Sequence, residues 1–189
     1  MLEQEVRNVL QYSTTEGYLP LRQYIADRYK KRLGLSVSPD EILITSGSQQ
    51  CLDLIGKIFI DPGDHISIER PGYLGAIQAF SLYEPVFHPV MLLEDGPDPA
   101  MLAQVLDTWP VRLFYGVPNS QNPTGITYTG RRRRELASVL KKTNTLFIED
   151  DAYGELNFGG EMMPTCGNFY RIRQLSQEPF QRSLPRGCD

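Results

Sequence analysis

From residue 41 to residue 150 the chain alternates short apolar runs with longer amphipathic ones, and few architectures accept that order. The apolar runs are "EILITSG" (41–47), "HISIE" (65–69), "PVFHPVML" (85–92), "VRLFYGV" (111–117) and "NTLFIED" (144–150). Each has strand length and lies between turn formers, so each is an expected strand. Between them "SQQCLDLIGKIFI" (48–60), "PGYLGAIQAFSLY" (71–83), "DPAMLAQVLDTW" (98–109) and "TGRRRRELASVLKK" (129–142) predict helices, with Ser48 as the N-cap of the first and Pro99 in the opening turn of the third. Upstream, "PLRQYIADRYKKRL" (20–33) spaces Leu21, Ile25, Tyr29 and Leu33 by four, one stripe of an amphipathic helix, and Gly34 ends it. Strands that alternate with helices pair in parallel, because each crossover returns the chain to the same sheet edge. The expected fold class is therefore α/β: three layers, α/β/α, with a mainly parallel sheet. Pro89 cannot donate to a ladder and assigns residues 85–92 to an edge.

A chain of 189 residues is one domain's worth and long enough for a sizeable core. The net charge of −4 gives no electrostatic footprint for nucleic acid. The one basic cluster, Arg131 to Arg134, opens a predicted helix and reads as its solvated face. Cys51, Cys166 and Cys188 are odd in number and form no C-x-x-C pair, which favours a reducing, cytoplasmic setting and offers no metal site. No apolar run reaches membrane-spanning length, and "MLEQEVRNVL" lacks the form of a signal peptide. His65 and His88 have no partners assignable from sequence, so structural roles are expected.

In sheets of this class ligands bind beyond the carboxyl ends of the strands. Four loops there are unusual. In "TSGSQQ", Ser46, Gly47, Ser48 and Gln49 open a helix, where backbone N–H groups and the helix dipole favour an anion. Serine at such a position is also an ordinary cap, and no Gly-Lys-Ser/Thr follows to make a Walker loop. In "ERPGYLG", Tyr73 either offers a face to a planar ligand or simply packs. In "VPNSQNPTG", Asn122 is held extended by Pro123 and either presents its amide to a ligand oxygen or serves the turn. In "EDDAYGEL", Asp150 ends an expected buried strand, where an ionised carboxylate needs a partner. A protonated heterocyclic nitrogen would supply one, and Tyr153 can reach the same ligand; Glu149 and Asp151 are expected in solvent.

Taken together, "EGYLPLRQYIADRY", "ILITSGSQQCLDL", "DPGDHISIERPGY", "PNSQNPTG" and "IEDDAYGEL" resemble the fold-type-I aminotransferases that use pyridoxal 5′-phosphate (PLP). The chain looks closest to the class I/II branch with the 2-aminoadipate, kynurenine and aromatic aminotransferases, and it is similar also to the aminotransferase-like domain of a family of bacterial transcription regulators. The resemblance covers roughly residues 12–160. It implies that Gly47, Ser48 and Gln49 hold the phosphate, Tyr73 stacks on the pyridine ring, Asn122 and Tyr153 bond the phenolic oxygen, and Asp150 pairs with the pyridine nitrogen. It implies amino-group transfer between an amino acid and a 2-oxo acid, and a homodimer.

The chain departs from that pattern in one respect that bears on chemistry. The family's Schiff-base lysine lies some thirty or more residues past the position of Asp150, and no lysine follows Lys142 here. No catalytic residue is therefore assigned, and negligible transaminase activity is expected of this chain alone. Residues 1–160 read as part of the large PLP-binding domain, and 161–189 as a divergent tail, aperiodic and punctuated by Pro164, Pro179 and Pro185. A frameshift, an alternative transcript or a gene-model error near residue 165 would produce such a switch. The alternative function is a non-catalytic PLP-binding or regulatory fragment of the same fold. An unrelated nucleotide-binding protein would want G-x-G-x-x-G or a Walker lysine, and neither occurs.

Overall fold

The computed structural model describes residues 14–154 and Thr165. Its elements are α1 (Leu19–Leu33), α2 (Ser48–Phe59), β1 (His65–Arg70), α3 (Leu74–Ser81), β2 (Val86–Leu93), β3 (Gly96–Pro97), α4 (Pro99–Thr108), β4 (Val111–Gly116), α5 (Gly130–Leu140) and β5 (Leu146–Glu149), with a single 3-10 turn at Pro39–Glu41. The strands form one sheet in the order β3-β2-β1-β4-β5. β1 runs parallel to both β2 and β4, and β4 parallel to β5. The short β3 returns antiparallel on β2, pairing with Leu92 and Leu93 alone.

Side chains leave a strand alternately to its two faces, and the core divides accordingly. Leu113 and Tyr115 of β4, with Ile66 and Ile68 of β1, pack against Leu52 of α2 and Ala76, Ala79 and Phe80 of α3. Phe114 of β4, with Val90 and Phe147, packs against Leu102 of α4 and Leu136 and Leu140 of α5. Helices thus cover both faces, which is the expected three-layer arrangement. The helix starts follow from their caps: Asp98 accepts from the N–H groups of Ala100 and Met101, and Thr129 from that of Arg132.

Three expectations fail. Residues 41–47 form no strand; they leave the 3-10 turn, and the Ile44 N–H donates to the Glu16 carbonyl at 3.0 Å. An apolar run becomes a strand only beside a ladder partner, and none lies beside this one among the described residues. The stripe on α1 is not its buried face: Leu21 and Tyr29 are exposed, whereas Arg22 and Ala26 are buried. Arg22 turns that face inward by donating to the carbonyls of Gly17 and Pro39 at 3.2 and 2.8 Å. Pro89 does not sit on a terminal strand, since β3 lies beyond β2. Because β3 pairs with Leu92 and Leu93, Pro89 still has no strand opposite it on that side of β2 among the described residues.

Packing of α2 on α3 sets the first of our expected results. A methyl group added at Gly56 would lie 2.2 Å from the Tyr83 ring. That ring is held by its hydroxyl, which donates to Asp53 Oδ1 at 2.6 Å. Helix propensity alone favours Gly56→Ala by about 1 kcal/mol. Overpacking against a fixed ring costs about 1–3 kcal/mol. The substitution is therefore expected to lower the midpoint of urea unfolding, and a raised midpoint would show that Tyr83 yields freely.

Candidate functional site

Because β1, β4 and β5 are parallel, Glu69 near the end of β1 lies along one edge with Gly116 and Glu149, which close β4 and β5. The first turns of α2 and α3 are joined: Gln49 Nε2 donates to the Gly75 carbonyl at 3.0 Å. Gly47, not Ser48, occupies the N-cap of α2. Its φ of 92° lies in the left-handed region that glycine tolerates and a side chain does not. Glycine makes no side-chain cap bond, and Gly47, Ser48 and Gln49 are exposed. Gln50 Oε1 accepts from the Ser46 N–H at 2.6 Å, and among the described residues no side-chain bond caps the N–H groups of Ser48 and Gln49 at the start of α2.

Tyr73 is the N-cap residue of α3 and is half-buried against the core below. Its ring folds over Gly75, where an added Cβ would lie 2.6 Å from the ring. Asp150 follows β5 and is half-buried. Its N–H donates to the Gly116 carbonyl at 2.9 Å, and its Oδ2 accepts the Tyr115 hydroxyl at 2.5 Å. Burial, and next that bond to Asp150, push the Tyr115 hydroxyl far above its ordinary pKa, so it stays a donor. Partial burial, and next the Asp150 carboxylate, push the Cys51 thiol up, which ties the first turn of α2 to Asp150 electrostatically. Asn122 is exposed in the 118–125 loop and Tyr153 is exposed beyond β5. Asp150 and Tyr73 thus both act on Tyr115, Gln49 is tied to α3 just past Tyr73, and Asn122 and Tyr153 are exposed.

Several polar residues here escaped the sequence. Glu69 is 1% exposed, and both its oxygens accept: Oε1 from the Val117 N–H at 3.1 Å, Oε2 from Gln121 Nε2 at 3.0 Å. Burial pushes its carboxyl up to about 7, against the pull of those two bonds and with a further push from Asp150. The folded state holds this proton more tightly than the unfolded chain. Its contribution to stability is complete below the ordinary carboxyl value of 4.5 and is lost as pH rises through about 7.

The four-arginine cluster is not a uniformly solvated face. Arg133 is wholly buried, while Arg131 and Arg134 are exposed. Its Nη2 donates to the Pro118 carbonyl and to Asn119 Oδ1, and its Nη1 lies 3.5 Å from Glu149 Oε1. Glu149 is accordingly drawn out of solvent. Asp151 remains exposed but accepts from Asn119 Nδ2 at 2.7 Å. No local pattern marks Glu69 or Arg133, because Glu69 meets Gln121 across 52 positions and Arg133 meets Asn119 across 14. His65 and His88 do find partners: their rings bond at 2.7 Å and stack with Trp109, at the amino ends of the strands and away from this edge. Among the described residues no cluster of three His, Cys, Asp or Glu side chains offers to hold a metal, and no helix is long and apolar enough to cross a membrane.

The donor set suits a phosphorylated heterocycle: an uncapped helix start for the anion, an aromatic side chain beside it, and a half-buried carboxylate held by a tyrosine donor. The family model "Aminotransferase class I and II" matches residues 2–179. Aromatic-amino-acid aminotransferase 1 of Thermococcus litoralis is 40% identical over 166 residues, 85% of this chain and 40% of that protein. The 2-aminoadipate transaminase of Thermus thermophilus is 45% identical over 166 residues, 87% of this chain and 40% of that protein. The crystal structure of alpha-aminoadipate aminotransferase from Thermus thermophilus, complexed with N-(5′-phosphopyridoxyl)-L-leucine, is 42% identical and superposes with a TM-score of 0.82. The match spans 90% of this chain and 42% of that one. The chain therefore spans about 40% of the length of the curated relatives it matches, and it belongs to the class I and II aminotransferase family.

Proposed function

We propose that this chain carries the PLP cradle of an aminotransferase acting between amino acids and 2-oxo acids. One observation carries the proposal: the Asp150 carboxylate, oriented by the Tyr115 hydroxyl, lies close enough to the first turn of α2 to act on the Cys51 thiol there. Backbone N–H groups at Gly47, Ser48 and Gln49 would hold the phosphate. Tyr73 would lie against the pyridine ring, Asn122 and Tyr153 would donate to its phenolic oxygen, and Asp150 would accept the pyridinium N–H. Bound there, the cofactor supplies an electron sink for charge developing at a substrate α-carbon. The chain's own part is to bind and orient. Tyr115 remains protonated and fixes one carboxylate oxygen, and the Gly116 carbonyl fixes the Asp150 backbone. Among this chain's lysines, Lys57 pairs with Asp53 on α2 at 2.6 Å, and Lys30, Lys31, Lys141 and Lys142 lie on α1 or just past α5. None of them is assigned to amine exchange.

The test is titration of the purified chain with PLP, followed by borohydride reduction and intact-mass measurement. The expected result is a saturable absorbance change with no covalent adduct. Absence of saturable binding would refute the cradle. A reduced adduct on one lysine would refute the division between binding and chemistry.

A further inference from the structure

Glu69 and Gln121 form a buried polar relay beneath the proposed cradle, each 1% exposed. From Glu69 the bonds run to the Val117 N–H and to Gln121 Nε2. Gln121 Nε2 also donates to the Pro71 carbonyl at 2.9 Å, two residues before Tyr73. Gln121 Oε1 accepts from Thr124 N and Thr124 Oγ1 at 3.0 and 2.7 Å, which closes the loop that holds Asn122. One carboxylate thus ties the end of β4, the Tyr73 turn and the Asn122 loop. Among the described residues both groups bonded to it, the Val117 N–H and Gln121 Nε2, are donors, so each of its oxygens serves as an acceptor. Packing alone would be served at lower cost by an apolar residue, because an ionised carboxylate is expensive to desolvate.

We propose that Glu69 is a positioning residue for the cofactor site: acting through Gln121, it holds the Tyr73 turn and the Asn122 loop at one separation, so that both address the same ligand ring. This rests on the PLP reading above. It makes the relay serve the ring end of the ligand, while the phosphate end is left to the backbone N–H groups of α2, which reach the Tyr73 segment through the Gln49–Gly75 bond and not through Glu69 or Gln121.

Glu69→Gln keeps the shape but sets an amide NH2 against a donor. Gln121→Ala keeps the Glu69–Val117 bond and cuts the link to both loops. The full chain and these variants, with the double variant, are compared for PLP affinity by absorbance titration and for inorganic phosphate affinity by equilibrium dialysis. Each single variant is expected to lose PLP affinity by at least about tenfold, a difference of 1.4 kcal/mol. The double variant should lose no more than the worse single one, and phosphate affinity should stay within about twofold in all three, far below a tenfold step. Wild-type PLP affinity in Gln121→Ala, additive losses in the double variant, or an equal loss of phosphate affinity would each overturn the proposal. If Glu69→Gln does not fold, Gln121→Ala decides alone. A wild-type chain that binds phosphate but not PLP overturns the cofactor reading and this inference with it.

Discussion

Replacing Arg133 with methionine is expected to cost the chain about 3–5 kcal/mol of stability, the range for breaking a buried charged pair from one side. Methionine fills much of the same volume, so the loss is of bonds and not of packing. The guanidinium has no solvent exposure, donates from Nε to the Tyr128 carbonyl at 3.1 Å, and binds Pro118 and Asn119 through Nη2. It also lies 5.8 Å over the Tyr128 ring and 3.5 Å from the Glu149 carboxylate. Removing it leaves Glu149, half-buried at the end of β5, without that cation, and Asn119 without the donor that orients it towards Asp151. Arg133 is thus a clamp between α5, the loop after β4 and the end of β5. Arg134→Met, one residue on and exposed, changes little, because surface substitutions stay within about 0.5 kcal/mol. Urea unfolding followed by circular dichroism measures both. A loss below about 1 kcal/mol for Arg133→Met would mean that the pair is hardly worth more than an exposed one.

The second large effect is expected at the proposed cofactor site. Asp150→Asn should weaken PLP binding by roughly tenfold to a hundredfold, from the 1.5–3 kcal/mol of a hydrogen bond to a charged group. The substitution is isosteric. The amide oxygen still accepts the Tyr115 hydroxyl, and the backbone bond from residue 150 to Gly116 is untouched. Stability of the free chain should therefore hardly move. What is lost is the negative charge that favours a proton on the ligand's ring nitrogen. The absorbance of the bound ligand should accordingly shift in Asp150→Asn and not in Asp151→Asn, whose carboxylate faces Asn119. Unchanged PLP affinity and spectrum in Asp150→Asn would remove Asp150 from the site. A fall in stability equal to the fall in affinity would make it a structural residue.

The main layers were legible in the residue order. Runs such as "HISIE" and "VRLFYGV" are strands because their length and flanking turns leave no other regular structure, and Asp98 and Thr129 mark helix starts by a bond made within three residues. The same logic misassigned "EILITSG", since a strand also needs a neighbour, and no residue of that run records whether one is present. It also missed β3, whose two residues pair in the sheet with Leu92 and Leu93 across a turn.

Local order thus determined the element types, the parallel sense of the sheet and the loops that end its strands. Which polar residues lie inside was decided by the tertiary structure alone. Glu69, Gln121 and Arg133 look like surface residues in the chain, where water satisfies them. They are tolerable inside only because folding brings donors and acceptors from 14 to 52 positions away to within hydrogen-bonding distance. The desolvation of a buried charge and its compensation are both set by three-dimensional neighbours, and a linear pattern carries neither.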